Sequence, residues 1–394
     1  MSTFEGMWAD LEPVGRDRGT GGYRRFAWTG TDGLLREWFR GEAAQRGLDV
    51  VADRAGNLWA WTADPDAGGP GLVLGSHLDS VPDGGAFDGP LGIVSAFAAL
   101  DQVDRPALRR PVGIACFADE EGARFGVACA GSRLLTGVLD PDRARALTDD
   151  DGATMAEAMS AAGVDPHGLG RDEETLRRIG TFVELHVEQG RALADGSAPV
   201  GVASSIWPHG RWRLDLRGRA DHAGTTRLED RQDPMLALAT AVLAARTTAE
   251  RRGALATIGK VRVRPNGVNA IPSEVTAWLD ARGPEDEEVR ALVEDVGRAA
   301  GTGPVEESWT PTTRFEGSLR DRLATLLGSD DSSTPILSTG AGHDAGILSA
   351  GGIPTAMVFV RNPTGVSHSP VEHAEPADCL AGVSALARVI EELA

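Results

Sequence analysis

Histidines and carboxylates gather at four places in this chain where an apolar run ends. Residues 75–92 read GSHLDSVPDGGAFDGPLG and carry His77, Asp79, Asp83 and Asp88 on a glycine-rich backbone. Residues 112–118 run apolar straight into Asp119-Glu120-Glu121-Gly122. Residues 181–190, TFVELHVEQG, set His186 between Glu184 and Glu188 and follow it with Gln189. Residues 365–373, GVSHSPVEH, place His368 shortly after the apolar run 355–360. Taken singly, each has an ordinary explanation: a helix N-cap for Asp88, a solvated acidic loop for Asp119 to Glu121, a polar pair on an edge strand for His186, a turn for His368. Taken together they place imidazoles and carboxylates at strand ends, where open α/β sheets carry their functional groups. Asp79, two residues from His77 on an extended backbone, points the same way and can hold that imidazole for a metal. Nitrogen and oxygen donors without cysteine suit zinc, manganese or cobalt in a catalytic site. Two histidines with shared carboxylates can hold two ions roughly 3.5–4 Å apart.

The elements that must position these groups are legible from the pattern. Residues 34–46 read as a helix, 48–52 and 58–62 as strands, 71–77 as a buried strand, 90–103 as a helix and 112–118 as another buried strand. Residues 132–180 are helix-rich and polar, and 181–186 is again a strand. Apolar runs without alternation, separated by helices, predict a parallel or mixed sheet covered on both faces. The pattern changes near residue 207. Strands at 211–218, 254–264, 274–282 and 305–314 and helices at 234–251 and 285–300 give the order β-α-β-β-α-β, the split form of a ferredoxin-like domain. The α/β style then resumes: helix 318–328, strand 335–338, helix 343–350, strand 354–360, helix 376–393. The expected architecture is a two-domain α/β protein, with residues 1–206 and 318–394 forming a catalytic domain and residues 207–317 inserted as an α+β second domain.

Composition narrows the partners. The formal net charge of −19 opposes nucleic-acid binding, which needs basic patches. No apolar run reaches a membrane-span length, so no membrane is expected. The stretch MSTFEGMWADLEPVGRD lacks a basic start and an apolar core, so export is not expected. Cys116, Cys129 and Cys379 form no CxxC pair, which favours a reducing cytoplasm and buried single thiols.

The segments GSHLDSVPDGGAFDGPLG, FADEEGARFG, ELHVEQG, DHAGTTRLEDRQDP and GVSHSPVEH, in this order, resemble the amidase/hydantoinase–carbamoylase branch of the dinuclear M20 metallopeptidase-like family. The resemblance spans nearly the whole chain. It implies a catalytic α/β domain with an inserted lid or dimerisation domain, two divalent ions per subunit (zinc or manganese) and a homodimer built through the inserted domain. By position, it gives one ion to His77 and His186, the other to Glu121 and His368, and the bridge to Asp88. Glu120 would be general base and later general acid. Histidine at 186 marks this branch, since peptidase-like relatives usually carry a carboxylate there. His222 of DHAGTT would reach across a dimer to polarise the scissile carbonyl, with a turn residue beside Gly224 as the plainer alternative. Gln189, Asn269 in GVNAIP, Arg282 in LDAR and Gly342 in TGAGHDA would contact substrate, Arg282 through a bidentate pair with a carboxylate. A simple strand-end salt bridge is the other reading of Arg282. His209 stands where the branch commonly has the glutamine of a VGQ segment. The implied reaction is hydrolysis of a linear amide or ureido C–N bond in a small anionic substrate. GRDRGTGGYRRFAWT and FGVACAGSRLLTG look most like the allantoate amidohydrolases, with an N-carbamoyl-L-amino acid hydrolase as the alternative. A dipeptidase or aminoacylase is a third enzyme reading, against which His186 weighs. A metal-dependent binding protein without turnover is the reading of another class.

Overall fold

The computed structural model describes residues 2–328 and 333–394. The chain divides into two compact units, one running through Ser204 and again from Arg314, the other Ser205–Thr313.

The first unit is built on a mixed sheet. Its strands β1 (Asp49–Ala52), β2 (Leu58–Trp61), β3 (Gly71–His77), β4 (Val112–Phe117), β5 (Ile179–Val187) and β6 (Val200–Ile206) are joined by Thr355–Val360 in the order β1-β2-β4-β3-β5-(355–360)-β6. The neighbours β3–β4, β3–β5 and β5–(355–360) are parallel. Every residue of β3, β4 and Thr355–Val360 is buried, which is why these runs are apolar without alternation. The wholly buried helix Pro90–Leu100 packs on β3 and β5 and against helix Pro376–Leu393. Gly92 makes that approach possible, since a Cβ there would lie 2.3 Å from the Leu185 carbonyl oxygen. Phe97 fills the layer, with its ring 5.3 Å from that of Phe39.

The second unit has four antiparallel strands, β7 (His209–Arg217), β9 (Leu255–Arg264), β11 (Glu274–Arg282) and β12 (Val305–Thr310), in the order β12-β7-β11-β9. A short pair, β8 (Asp221–His222) with β10 (Ala270–Ile271), stands apart. β11 alternates buried and half-buried residues, and its buried face meets helices Pro234–Arg252 and Asp286–Ala300. Asp233 caps the first of these helices by accepting the Met235 N–H, and Gly253 closes it at φ +62°.

Three readings of the sequence need correction. The expected strand 305–314 ends at Thr310, because Pro311 brings no N–H to the ladder. β5 is central, between β3 and Thr355–Val360, so an edge-strand pair does not account for His186. Asp88 does not cap the next helix; Gly89 occupies that position at φ +85°.

Candidate functional site

His77 ends β3, Glu120 and Glu121 follow β4, and His186 lies one residue before the end of β5, paired with Phe359 across the parallel ladder. Adjacent parallel strands bring these ends together. Asp88 arrives on the loop before helix Pro90–Leu100, and His368 on the loop after Thr355–Val360, held at φ +54°. That second loop is shaped by buried Asn362, whose Oδ1 accepts the N–H groups of Thr364 and Gly365 while its amide donates to the Val366 carbonyl.

Two candidate ligand groups result, and they share Asp88. His77 Nε2 lies 3.5 Å and His186 Nε2 3.1 Å from Asp88 Oδ1. His368 Nε2 lies 3.4 Å from Asp88 Oδ2 and 3.6 Å from Glu121 Oε2. The candidate ligand atoms of His77, Asp88 and His186 all fall within 4.8 Å of one another, as do those of Asp88, Glu121 and His368.

The tautomers follow from the far nitrogens. His186 Nδ1 is 2.9 Å from the Val187 carbonyl oxygen, which can only accept, so Nδ1 carries the proton and Nε2 offers its lone pair. His77 Nδ1 is 3.2 Å from the Asp79 carbonyl oxygen and 3.4 Å from Asp79 Oδ1, with the same consequence. Both Nε2 atoms are buried without a hydrogen-bond partner, an arrangement that costs stability unless something binds there. Gly89 leaves room for this, since a Cβ would stand 2.4 Å from the His77 ring. Orphaned imidazole nitrogens facing a shared carboxylate, with no thiolate in the set, fit divalent metal ions. A further group, Glu184, His186 and His343, is also compact. Its Glu184 oxygens already accept from Ser76 and the Ala345 N–H, making Glu184 a strut beneath the site.

Asp79 binds the acidic turn. Its Oδ1 accepts the Glu120 N–H at 3.2 Å and its Oδ2 the Glu121 N–H at 3.0 Å. Glu120 sits with Oε2 3.8 Å from His77 Nε2, and its Oε1 receives the Cys129 thiol at 3.3 Å. Burial drives the Glu120 carboxyl far above its usual range; His77 opposes this, while Asp344 and Glu121 add to it. Burial and Asp88 push Glu121 up to about 7. Asp88 goes the other way: burial disfavours its charge, but His186, His368 and His77 hold it well below the ordinary carboxylate range.

Gln189 turns its amide nitrogen onto Asp88 Oδ2 at 2.9 Å and Ser367 Oγ at 3.1 Å. Gly342 precedes His343, whose ring packs 4.5 Å from that of His186. Cys116, Cys129 and Cys379 are all free and buried.

The remaining candidates lie in the second unit. His222 on β8 pairs with Ala270 in the ladder, and the Ala223 N–H donates to the Asn269 carbonyl, so His222 and Asn269 are neighbours. His222 is exposed; its Nδ1 accepts the Gly224 N–H at 2.9 Å, which puts the proton of the neutral ring on Nε2. His209 and Arg282 are direct cross-strand partners on β7 and β11. Arg282 pairs with Asp280 through Nη2 at 2.7 Å, and the ring of His209 is anchored through Nδ1 to the Trp207 carbonyl at 2.9 Å.

Sequence reasoning missed Glu372 and Cys129. The first lay in plain sight within GVSHSPVEH, but its partners are backbone N–H groups far away in the chain. Nothing in the sequence announces the contact of Cys129 with Glu120.

Residues 73–392 match the profile of Peptidase family M20/M25/M40. The chain is 32% identical over 413 residues to an N-carbamoyl-L-amino acid amidohydrolase of Geobacillus stearothermophilus, covering 100% of this chain and 99% of that protein. It is 31% identical over 374 residues to an allantoate amidohydrolase of Escherichia coli, covering 90% and 89%. Among solved structures, a hydantoinase/carbamoylase family amidase from Burkholderia vietnamiensis superposes with a TM-score of 0.89 at 26% identity, over 99% of this chain and 96% of that one.

Proposed function

The chain belongs to peptidase family M20/M25/M40, and from that premise we propose that it is a metal-dependent amidohydrolase cleaving the ureido C–N bond of a small carboxylate, with allantoate as first substrate. The observation that carries this reading is the pair of ligand groups sharing Asp88, with Glu120 beside them. N-carbamoyl-L-amino acids are the second reading, favoured by a relative of that name at nearly the same identity as the allantoate enzyme.

His77, His186 and Asp88 would hold one ion, and Asp88, Glu121 and His368 the other, zinc or manganese by donor chemistry. Bound there, such ions lower the pKa of water toward neutrality and polarise a carbonyl. Glu120 takes the proton of the attacking water at its carboxylate and returns it to the leaving nitrogen. The Cys129 thiol on Oε1 fixes the orientation of that carboxylate, and Asp79 fixes its backbone. His222 donates from Nε2 to the carbonyl oxygen as it gains charge. Arg282 takes the substrate carboxylate, with Asn269, His209, Gln189 and Gly342 as further contacts. The protein works as a homodimer through its second unit. In support, helix Pro234–Arg252 exposes Leu236 at 70% and Leu243 at 68%, and β9 is an edge strand of its sheet. A cytoplasmic location fits the free buried thiols. No helix among the described residues is long and apolar enough to cross a membrane.

Ammonia release from allantoate, measured beside decarbamoylation of N-carbamoyl-L-amino acids and hydrolysis of dipeptides on metal-loaded protein, tests the proposal. Turnover of the first alone supports it, turnover of the second alone selects the alternative, and turnover of dipeptides alone overturns both.

A further inference from the structure

Glu372 is buried to 5% exposure and ties together two loops that meet at the site from distant parts of the sequence. Its Oε2 accepts the backbone N–H of Phe87 at 2.9 Å and of Asp88 at 3.0 Å. Its Oε1 stands 3.0 Å from Ser367 Oγ, next to His368. Ser367 Oγ in turn lies 3.2 Å from Asp88 Oδ2 and 3.1 Å from the Gln189 amide nitrogen. One carboxylate therefore grips the main chain that presents Asp88 and the side chain beside His368. The backbone is shaped around it: a Cβ on Gly85 would fall 2.3 Å from Glu372 Oε2 and 2.4 Å from its Cβ. Carboxylate hydrogen bonds to backbone N–H groups are the strong, charge-assisted kind.

We infer that Glu372 is a positioning residue, a clamp that assembles the group Asp88–Glu121–His368 by locking the Asp88 loop to the His368 loop. It binds no ion itself, since both its oxygens are committed to Phe87, Asp88 and Ser367. Asp88 serves both groups, but the His77–His186 half depends on the clamp less, because its other two candidate ligands stand on strands β3 and β5, which the sheet ladder fixes. The inference rests on the two-ion reading above, and a binding experiment separates the two.

The test is calorimetric titration of metal-depleted protein with zinc ion, reading the number and affinity of ions bound. Wild-type chain should take up two. Glu372→Ala should bind its second ion about 10–100-fold more weakly, in line with the loss of outer partners at metal sites, and its first at least ten-fold less affected. Gly85→Ala, which displaces the carboxylate without deleting it, should show the same asymmetry. Glu372→Gln keeps an oxygen for the Phe87 and Asp88 N–H groups and should lose less than Glu372→Ala. If the wild type binds a single ion, the two-ion reading falls and takes the clamp with it. If the wild type binds two and Glu372→Ala keeps both affinities, the clamp alone is overturned. If Glu372→Ala is too disturbed to bind either ion, Glu372→Gln decides: asymmetric weakening supports the clamp, and equal weakening of both ions overturns it.

Discussion

On the proposed mechanism turnover depends most directly on Glu120, whose carboxylate stands 3.8 Å from His77 Nε2 yet belongs to neither Asp88-centred group. Replacing it with glutamine preserves shape but removes the basic oxygen. Glu120→Gln should lower ammonia release about 10²–10⁴-fold while metal content stays at the wild-type value. Normal turnover in the metal-loaded variant would remove Glu120 from the mechanism. The neighbouring ligands make a pH prediction. Without an ion, Asp88 pushes His368 up to about 9, burial opposing and Glu121 adding, and burial pushes Glu121 up to about 7. Glu121, raised by burial, costs the metal-free fold stability as pH climbs from its ordinary 4.5 to about 7. The His368 ion pair stabilises that fold fully below 6.5 and fades as pH passes about 9. An incoming ion must displace the same protons, so its binding tightens over the same range. The gap in Tm between metal-loaded and metal-depleted protein should therefore widen from pH 6 to pH 9, measured by calorimetry in matched buffers. His368 is half exposed, which keeps the effect modest. A gap that narrows with pH would contradict the assignment of these two ligands.

The strands deliver the ligands, and a single glycine shows how tightly. Gly89 sits at φ +85° with ψ −60°, a conformation that side-chain-bearing residues rarely adopt, and its missing Cβ is the space the His77 ring occupies. Gly89→Ala should cost about 1–3 kcal/mol of stability from the backbone alone. By driving the His77 ring aside it should also weaken the ion proposed for His77 and His186 about 10–100-fold, read by metal titration. Unchanged affinity would mean that His77 is not a ligand. The same scale separates what the sequence discloses from what it hides. β3 and β4 are legible because strands buried on both faces carry apolar runs, and β5 because its apolar residues continue around Glu184 and His186, so the candidate ligands at their ends can be placed. β6, VGVASSI, went unread, since its glycine and serines carry no strand signal although most of the strand is buried. The helix Phe4–Leu11 was also missed; its Trp8 packs 4.8 Å from Phe87, one residue from Asp88. The direction of Gln189 toward Asp88, and the grip of Glu372 on the Phe87 and Asp88 backbone, are long-range hydrogen bonds. Neither has a local pattern to betray it.

For the whole molecule, the proposed reach of His222 across a dimer makes activity a property of two chains rather than one. The second unit keeps its buried face under two helices, yet helix Pro234–Arg252 still shows Leu236, Val242 and Leu243 to solvent. Apolar side chains grouped beside an edge strand favour the proposed contact with a second copy, since an isologous contact buries the patch twice. Leu243→Glu would place a charge in that patch, and sedimentation should then show the wild type as the proposed dimer and the variant as monomer. If His222 serves the site of its partner, the monomer should lose turnover although its metal ligands are intact. Complementation makes this specific. In a mixture of His222→Ala and Glu120→Gln chains, a mixed dimer retains one site with both groups, and random pairing makes about half the dimers mixed. The mixture should then recover about a quarter of wild-type turnover from two nearly inactive proteins. Mixed dimers isolated by differential tags that stay inactive would show that each chain relies on its own His222, and the dimer would lose its part in the chemistry.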